Sequence, residues 1–342
     1  MIRISLYFIS FMLLFTACSS TSKSSILPST VPVNLMLTAT VAPDSSGNVS
    51  FAAHAVNAVT YDFDFGNGVI TTVPIGIITY KYPAAGSYAV NVIAKSADGQ
   101  TISQTTNVVV AFQLHLFFAE EFNTDGIPNP ANWGYDIGNN NGWGNGEAET
   151  YTNRPENVSV QNGMLKITVI KENYGGYNYT SARLLSKNKV AFTYGKVEIR
   201  AMLPAGLGTW PALWMLGSNV DTVNWPACGE MDIMEQKGSE LNKIYGTLHY
   251  PGHFGGNGNG NTVMISNSST QFHIYGMEWT PASIKLSVDG QVFQTVINSA
   301  DVPFNHNFFF ILNVAMGGSF AGAIDPNFSS ASMYVDYIRV YR

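Results

Sequence analysis

The sequence predicts an all-β protein made of two β-sandwich domains. Three observations lead there. The chain has 342 residues, too many for most single cores, so two domains behind a leader are expected. Glycine (32) and aromatic residues (13%) are plentiful while charged residues are only 12%, which suits a loop-rich, exported β protein with aromatic surfaces. Short runs alternate apolar and polar residues between clusters of Gly, Asn and Asp, the period-two pattern of strands joined by turns. The net charge of -6, with no basic stripe, argues against a nucleic-acid partner.

Residues 1–17, MIRISLYFISFMLLFTA, carry Arg3 ahead of an apolar stretch and small residues just before Cys18. This reads as a secretory leader, too short for a membrane span and followed by a polar tract. Phe15, Thr16, Ala17 and Cys18 resemble the bacterial lipobox, although leucine is usual where Phe15 stands. The resemblance implies that Cys18 is diacylated and becomes the mature N-terminus. The protein would then be an exported lipoprotein, anchored at the bacterial outer membrane or cell surface, with plain secretion as the alternative. Two acyl chains anchor stably, whereas one holds only marginally. The Ser/Thr-rich segment 18–32 has little to bury and is expected to be a flexible tether.

Between residues 33 and 112, Asn34 to Val41, Ser87 to Ala94 and Thr105 to Val110 alternate as strands. In YDFDFGNG, Tyr61, Phe63 and Phe65 fall on one face and Asp62 and Asp64 on the other, ahead of a glycine turn. Those acids suit either a calcium or ligand site or a solvated face beside the turn. With YKYPAAGSYAVNVIA, this stretch resembles the polycystic kidney disease (PKD) domain, which implies an immunoglobulin-like β-sandwich acting as a spacer or weak carbohydrate binder.

From residue 113 to the end a second domain is expected. It opens with Gly- and Asn-rich loops between short strands, consistent with a curved sandwich whose loops and concave face carry function. YGKVEIRAML is a clean alternating strand, and VDG marks a turn in FHIYGMEWTPASIKLSVDGQVFQT. In TWPALWML, Trp210 and Trp214 lie four apart, on one face of a strand, as core residues or as an exposed platform.

The segment WPACGEMDIMEQ (225–236) sets three carboxylates, Glu230, Asp232 and Glu235, in an apolar run. Strict alternation puts Glu230 and Asp232 together but sends Glu235 to the opposite face. One extra residue, taken up as a β-bulge near Ile233 and Met234, returns Glu235 to the acidic face. Close carboxylates push each other's proton affinities apart, which suits a nucleophile and general-acid pair; Asp232 between them would support the pair. A solvated face or a calcium site remain the alternatives. Cys228 reads as a packed thiol rather than a nucleophile. The six histidines show no HExxH spacing, against zinc hydrolysis.

GTWPALWMLG, WPACGEMDIMEQ and GTLHY together resemble glycoside hydrolase family 16, and the bulged ExDxxE form resembles its laminarinase (endo-β-1,3-glucanase) branch. The resemblance runs from about Phe117 to Arg342. It implies a concanavalin A-like β-jelly roll and retaining hydrolysis of β-1,3-glucan by Glu230, Asp232 and Glu235. Mixed-linkage β-1,3-1,4-glucan, an algal galactan, or a non-catalytic glucan-binding lipoprotein are the alternatives. It also implies that Trp143 and Asn145 of NGWGNGE bind sugar, that Arg183 lies near sugar hydroxyls or in a structural ion pair, that Trp210 and Trp214 stack beneath the sugars, and that His249 tunes the acids or is structural. No cofactor is needed for the chemistry. A structural calcium is implied, with oxygens from Glu121 and Gly163 and the carboxylate of Asp336, which is otherwise an edge-strand acid. The partner is a β-glucan polysaccharide, and the protein is expected to be a monomer. Phe320 and Ala321 stand where the family usually has tryptophan and proline, which bears on the outer subsite.

Overall fold

The computed structural model describes residues 30–44, 46–111 and 114–342. The leader, most of the tether and Cys18 lie outside the described residues. The chain divides after Val110 into two compact units, each with its own core.

In the first unit, strands Val33–Val41, Asn48–Val56 and Ile77–Lys81 form one antiparallel sheet, and Ile70–Val73, Thr60–Asp64, Gly86–Lys95 and Thr101–Val110 form another. Phe51 from the first sheet meets Phe63 and Phe65 from the second, with ring centroids 6.0 and 5.6 Å apart. The alternation of YDFDF decides this packing, because Tyr61, Phe63 and Phe65 are all buried. Asp62 faces outward to Lys95 at 2.5 Å and accepts a hydrogen bond from Thr72. Asp64 accepts one from the backbone N–H of Gly66, closing the turn. The two acids therefore serve an ion pair and a turn, as the solvated-face reading expects.

The second unit packs two large sheets face to face as a β-jelly roll. The outer sheet runs Glu149–Tyr151, Tyr177–Ser181, Met164–Tyr174, Ser330–Tyr341, Gly195–Met202, His273–Trp279, Ser283–Val288, Gln291–Ile297. The other runs Asn259–Met264, Lys243–His249, Glu230–Glu235, Thr209–Gly217, Phe308–Met316, Arg183–Leu185, Gly134–Asp136. Its central strand, FFFILNVAM, is buried along its whole length. Phe308, Phe310, Leu312, Val314 and Met316 join the core between the sheets. By the period of two, Phe309, Ile311, Asn313 and Ala315 line the opposite, hollow face. Asn313 is the polar exception on this strand.

Candidate active site

Backbone register assembles the site. Glu230, Met231 and Asp232 pair with Leu216, Met215 and Trp214, but then Met234 and Glu235 pair with Leu213 and Ala212, leaving Ile233 as an extra residue. On the other flank Asp232 pairs with Thr247 and Glu235 with Tyr245, so Ile233 and Met234 together oppose Gly246. This is the expected bulge. Met231, Ile233 and Met234 are fully buried, while Glu230, Asp232 and Glu235 all open into one cleft. The register also sets the neighbours: Ala212, the smallest side chain in its row, lies between Glu235 and Asn313.

The cleft encloses about 1150 Å³, beyond the roughly 300–1,000 Å³ of small-molecule pockets. Its size suits an oligosaccharide rather than one sugar ring. Its electrostatics are set by burial. Burial first, then the Asp232 charge, pushes Glu230 up to about 8, with His249 and Arg183 pulling back toward the ionised form. Glu235 is likewise raised to about 8 by burial and then by Asp232, opposed by the hydrogen bond from Trp210. Burial raises Asp232 well above the usual carboxylate range. His249 Nε2 lies 3.2 Å from Asp232 and 3.8 Å from Glu230. Ligand atoms of these three residues all fall within 4.8 Å of one another.

Trp210 and Trp214 share the cleft face, as their spacing predicts, and each indole N–H has a partner. Trp210 donates to Glu235 Oε1 at 2.8 Å, and Trp214 to Asn313 Oδ1 at 2.8 Å. The first bond leaves the other oxygen of Glu235 free to carry a proton. Arg183 is in the structural ion pair that was one of its two expected settings, and it also faces the cleft. Its guanidinium lies between the rings of Trp143 (4.5 Å) and Trp214 (4.9 Å), its Nε pairs with Asp136 at 3.0 Å, and it lines the cleft. Trp143 and Asn145 sit on the cleft wall, on a turn with Asn140, Asn141, Gly142, Trp143 and Gly144 all at positive φ. Asn and Gly tolerate that conformation. Trp143 at φ 52° does not, and such strain gathers at functional sites. Asn139 holds the turn by donating to the carbonyls of Glu147 and Glu149 and accepting from Gly142 N–H.

Several cleft residues escaped the sequence reading. Tyr245, Thr247, Trp225 and Phe254 line it; Phe320, expected at the outer subsite, packs against Trp210 and Tyr245 at 4.9 and 5.1 Å. Glu147 also lines it, backed by Glu149, Tyr151 and Asn313. Two signals pointed to that group: Glu147, Glu149 and Tyr151 alternate in EAETY, and Asn313 is alone in an apolar strand.

The calcium expectation meets a different arrangement. Pairing of Leu165 with Val335 and of Glu120 with Ile338 brings the Gly163 turn and Glu121 to the same flank of the strand bearing Asp336, the other flank being taken by Gly195–Met202. However, Asp336 is ion-paired with Arg200, and Glu121 makes a two-pronged pair with Arg339 at 2.7 and 2.9 Å. Both carboxylates are thus engaged by arginines in this structure, Asp336 through one oxygen only. Cys228 is a buried free thiol, raised to about 11 by burial, which makes it a poor nucleophile.

A jelly roll whose hollow face carries three acids, two buried and one half-buried, over a tryptophan floor defines a carbohydrate-cleaving hydrolase. The family model for glycosyl hydrolases family 16 matches residues 145–339, and that for the PKD domain matches residues 34–110. The chain belongs to glycosyl hydrolases family 16 and carries a PKD domain ahead of the catalytic unit. The beta-glucanase of Rhodothermus marinus is 41% identical over 66% of this chain and 85% of its own length. A glucan endo-1,3-beta-glucosidase of Cryptopygus antarcticus is 36% identical over 66% and 90%. The catalytic domain of an endo-1,3-beta-glucanase (laminarinase) from Thermotoga petrophila RKU-1 matches with TM-score 0.63 at 43% identity, covering 67% of this chain and 98% of that one.

Proposed function

We propose that the catalytic unit is an endo-acting β-1,3-glucanase that hydrolyses laminarin-type glucan with retention of configuration. The observation that carries this reading is the bulge, which turns Glu235 into the cleft with Glu230 and Asp232; relatives named as endo-1,3-β-glucosidase and laminarinase support the polymer. Glu230 attacks the anomeric carbon while Glu235 gives its proton to the glycosidic oxygen, which leaves with the bonding electron pair. The product is a glycosyl ester on Glu230 and an ionised Glu235. Glu235 then takes a proton from water, whose oxygen attacks the same carbon and frees Glu230. His249 and Arg183 favour the ionised nucleophile, and Trp210 orients the acid.

The test is product analysis on purified laminarin, mixed-linkage glucan and galactans. Wild type is expected to release β-configured oligosaccharides from laminarin, and Glu230→Gln and Glu235→Gln to lose at least about 10²–10⁴-fold in kcat with the melting temperature kept. Full activity in both variants would refute the assignment of the acids, and release from another polymer alone would move the substrate. We also propose that the mature chain is anchored to a membrane through lipid on Cys18, with the Ser/Thr-rich segment as the tether.

A further inference from the structure

Along the cleft floor, through the buried Tyr151, runs a hydrogen-bond chain that the proposed chemistry does not use. Trp214 Nε1 donates to Asn313 Oδ1 at 2.8 Å, Asn313 Nδ2 to the Tyr151 hydroxyl at 3.0 Å, and that hydroxyl to Glu147 Oε2 at 3.1 Å. Asn145 Nδ2 donates to the other Glu147 oxygen at 3.0 Å. We propose that Glu147 is a positioning residue whose carboxylate sets the direction of this chain and so fixes the indole of Trp214 beneath the sugar. The inference rests on the glucanase reading for its kinetic consequence, but not for its structural one.

The direction follows from what each group can do. An indole N–H only donates, so Asn313 must turn its oxygen toward Trp214 and its amide nitrogen toward Tyr151. The Tyr151 oxygen already accepts, so its single proton goes onward. A carboxylate accepts only, which makes Glu147 the natural end of the chain. Tyr151, Asn313 and Glu147 are 0%, 5% and 7% exposed, so solvent has little access to replace a broken link, and a donor left alone there is costly. Glu149, fully buried behind them, accepts from Met316 N–H with Oε2, while its Oε1 has no hydrogen-bond partner among the described residues. Burial and the neighbouring Glu147 charge keep Glu149 protonated well above the usual carboxylate range.

Glu147 accepts on both oxygens, whereas Glu147→Gln can accept on one side only, so its amide N–H faces either the Tyr151 hydroxyl or the Asn145 amide and one of the two links is lost. Tyr151→Phe removes the middle link while keeping the ring. Stacking on Trp214 holds the sugar in the ground and transition states alike, so its loss acts on KM. On laminarin, each variant should raise KM about three- to tenfold, the loss expected from one net hydrogen bond, with kcat within about threefold of wild type. The double variant should be no worse than the more affected single variant, because both cut one chain. An unchanged KM in either variant, effects that multiply, or a loss confined to kcat would overturn the proposal. A readout without substrate separates this from the glucanase reading. The Trp214 emission, taken as wild type minus Trp214→Phe, should shift in Tyr151→Phe and in Glu147→Gln. Unshifted emission in both, with each variant folded by circular dichroism, would sink the relay whatever the polymer.

Discussion

Glu235 is 8% exposed, with one oxygen held by Trp210, and its setting governs both activity and stability. Its pKa rises from an ordinary 4.5 to about 8 on folding, through burial first and the Asp232 charge second. A raised carboxyl in the folded state binds its proton more tightly than the unfolded chain does. Between about 4.5 and about 8 the unfolded state therefore releases the proton first, and stability falls as pH rises. Glu235→Gln removes that cost, so the gain in melting temperature over wild type should grow from pH 4.5 to pH 8 and then level off. In wild type, kcat/KM should fall on the alkaline side near pH 8, as Glu235 surrenders the proton it must donate, and on the acid side as Glu230, also raised to about 8, becomes protonated, leaving a narrow optimum. An alkaline limb near pH 5, or a melting gain that shrinks with pH, would show that burial does not control this group. The same residue is thus costly to the fold and required by the chemistry, the usual tension at an active site.

At the level of elements, the acid strand is held by a close backbone approach on its entry side. A Cβ on Gly217 would come within 1.9 Å of the Cys228 carbonyl oxygen, two residues before Glu230, and Gly217 N–H donates to Gly229 O at 3.1 Å. That contact is with backbone, so no side chain can swing aside. Gly217→Ala should lower the urea midpoint by at least the equivalent of about 1–3 kcal/mol and displace the start of the strand. Hydrolysis should fall with it; an unchanged midpoint would mean that the two strands part freely there. The bulge itself was legible, because the spacing of Glu230, Asp232 and Glu235 demands an extra residue if all three are to share a face. Its registration against Gly246 was not, since strand pairing depends on which segments meet after a long loop.

Across the whole molecule, two cores in one chain let a β-sandwich spacer and a catalytic sandwich each satisfy their own packing. The proposed anchor belongs to this scale, since its use is to hold the catalytic unit at a surface where a bulky polymer is met. Membrane fractionation of wild type and Cys18→Ala checks it: wild type should sediment with membranes and the variant should appear in the soluble fraction. Equal partitioning would leave plain export as the reading.

Local pattern alone determined the all-β class, the faces of YDFDF, and the shared faces of Trp210 with Trp214 and of Glu230 with Asp232, because alternation is a short-range property of the strand; the register fixed the bulge that adds Glu235. Tertiary structure alone decided that Arg200 and Arg339 take up Asp336 and Glu121, and that Arg183 is stacked between Trp143 and Trp214. It alone joined Glu147 to Trp214 through Tyr151 and Asn313. Except for Glu147 and Tyr151, four residues apart, those partners lie far apart in sequence, and such a hydrogen-bond or ion-pair partner is chosen only when the sheets have closed around it.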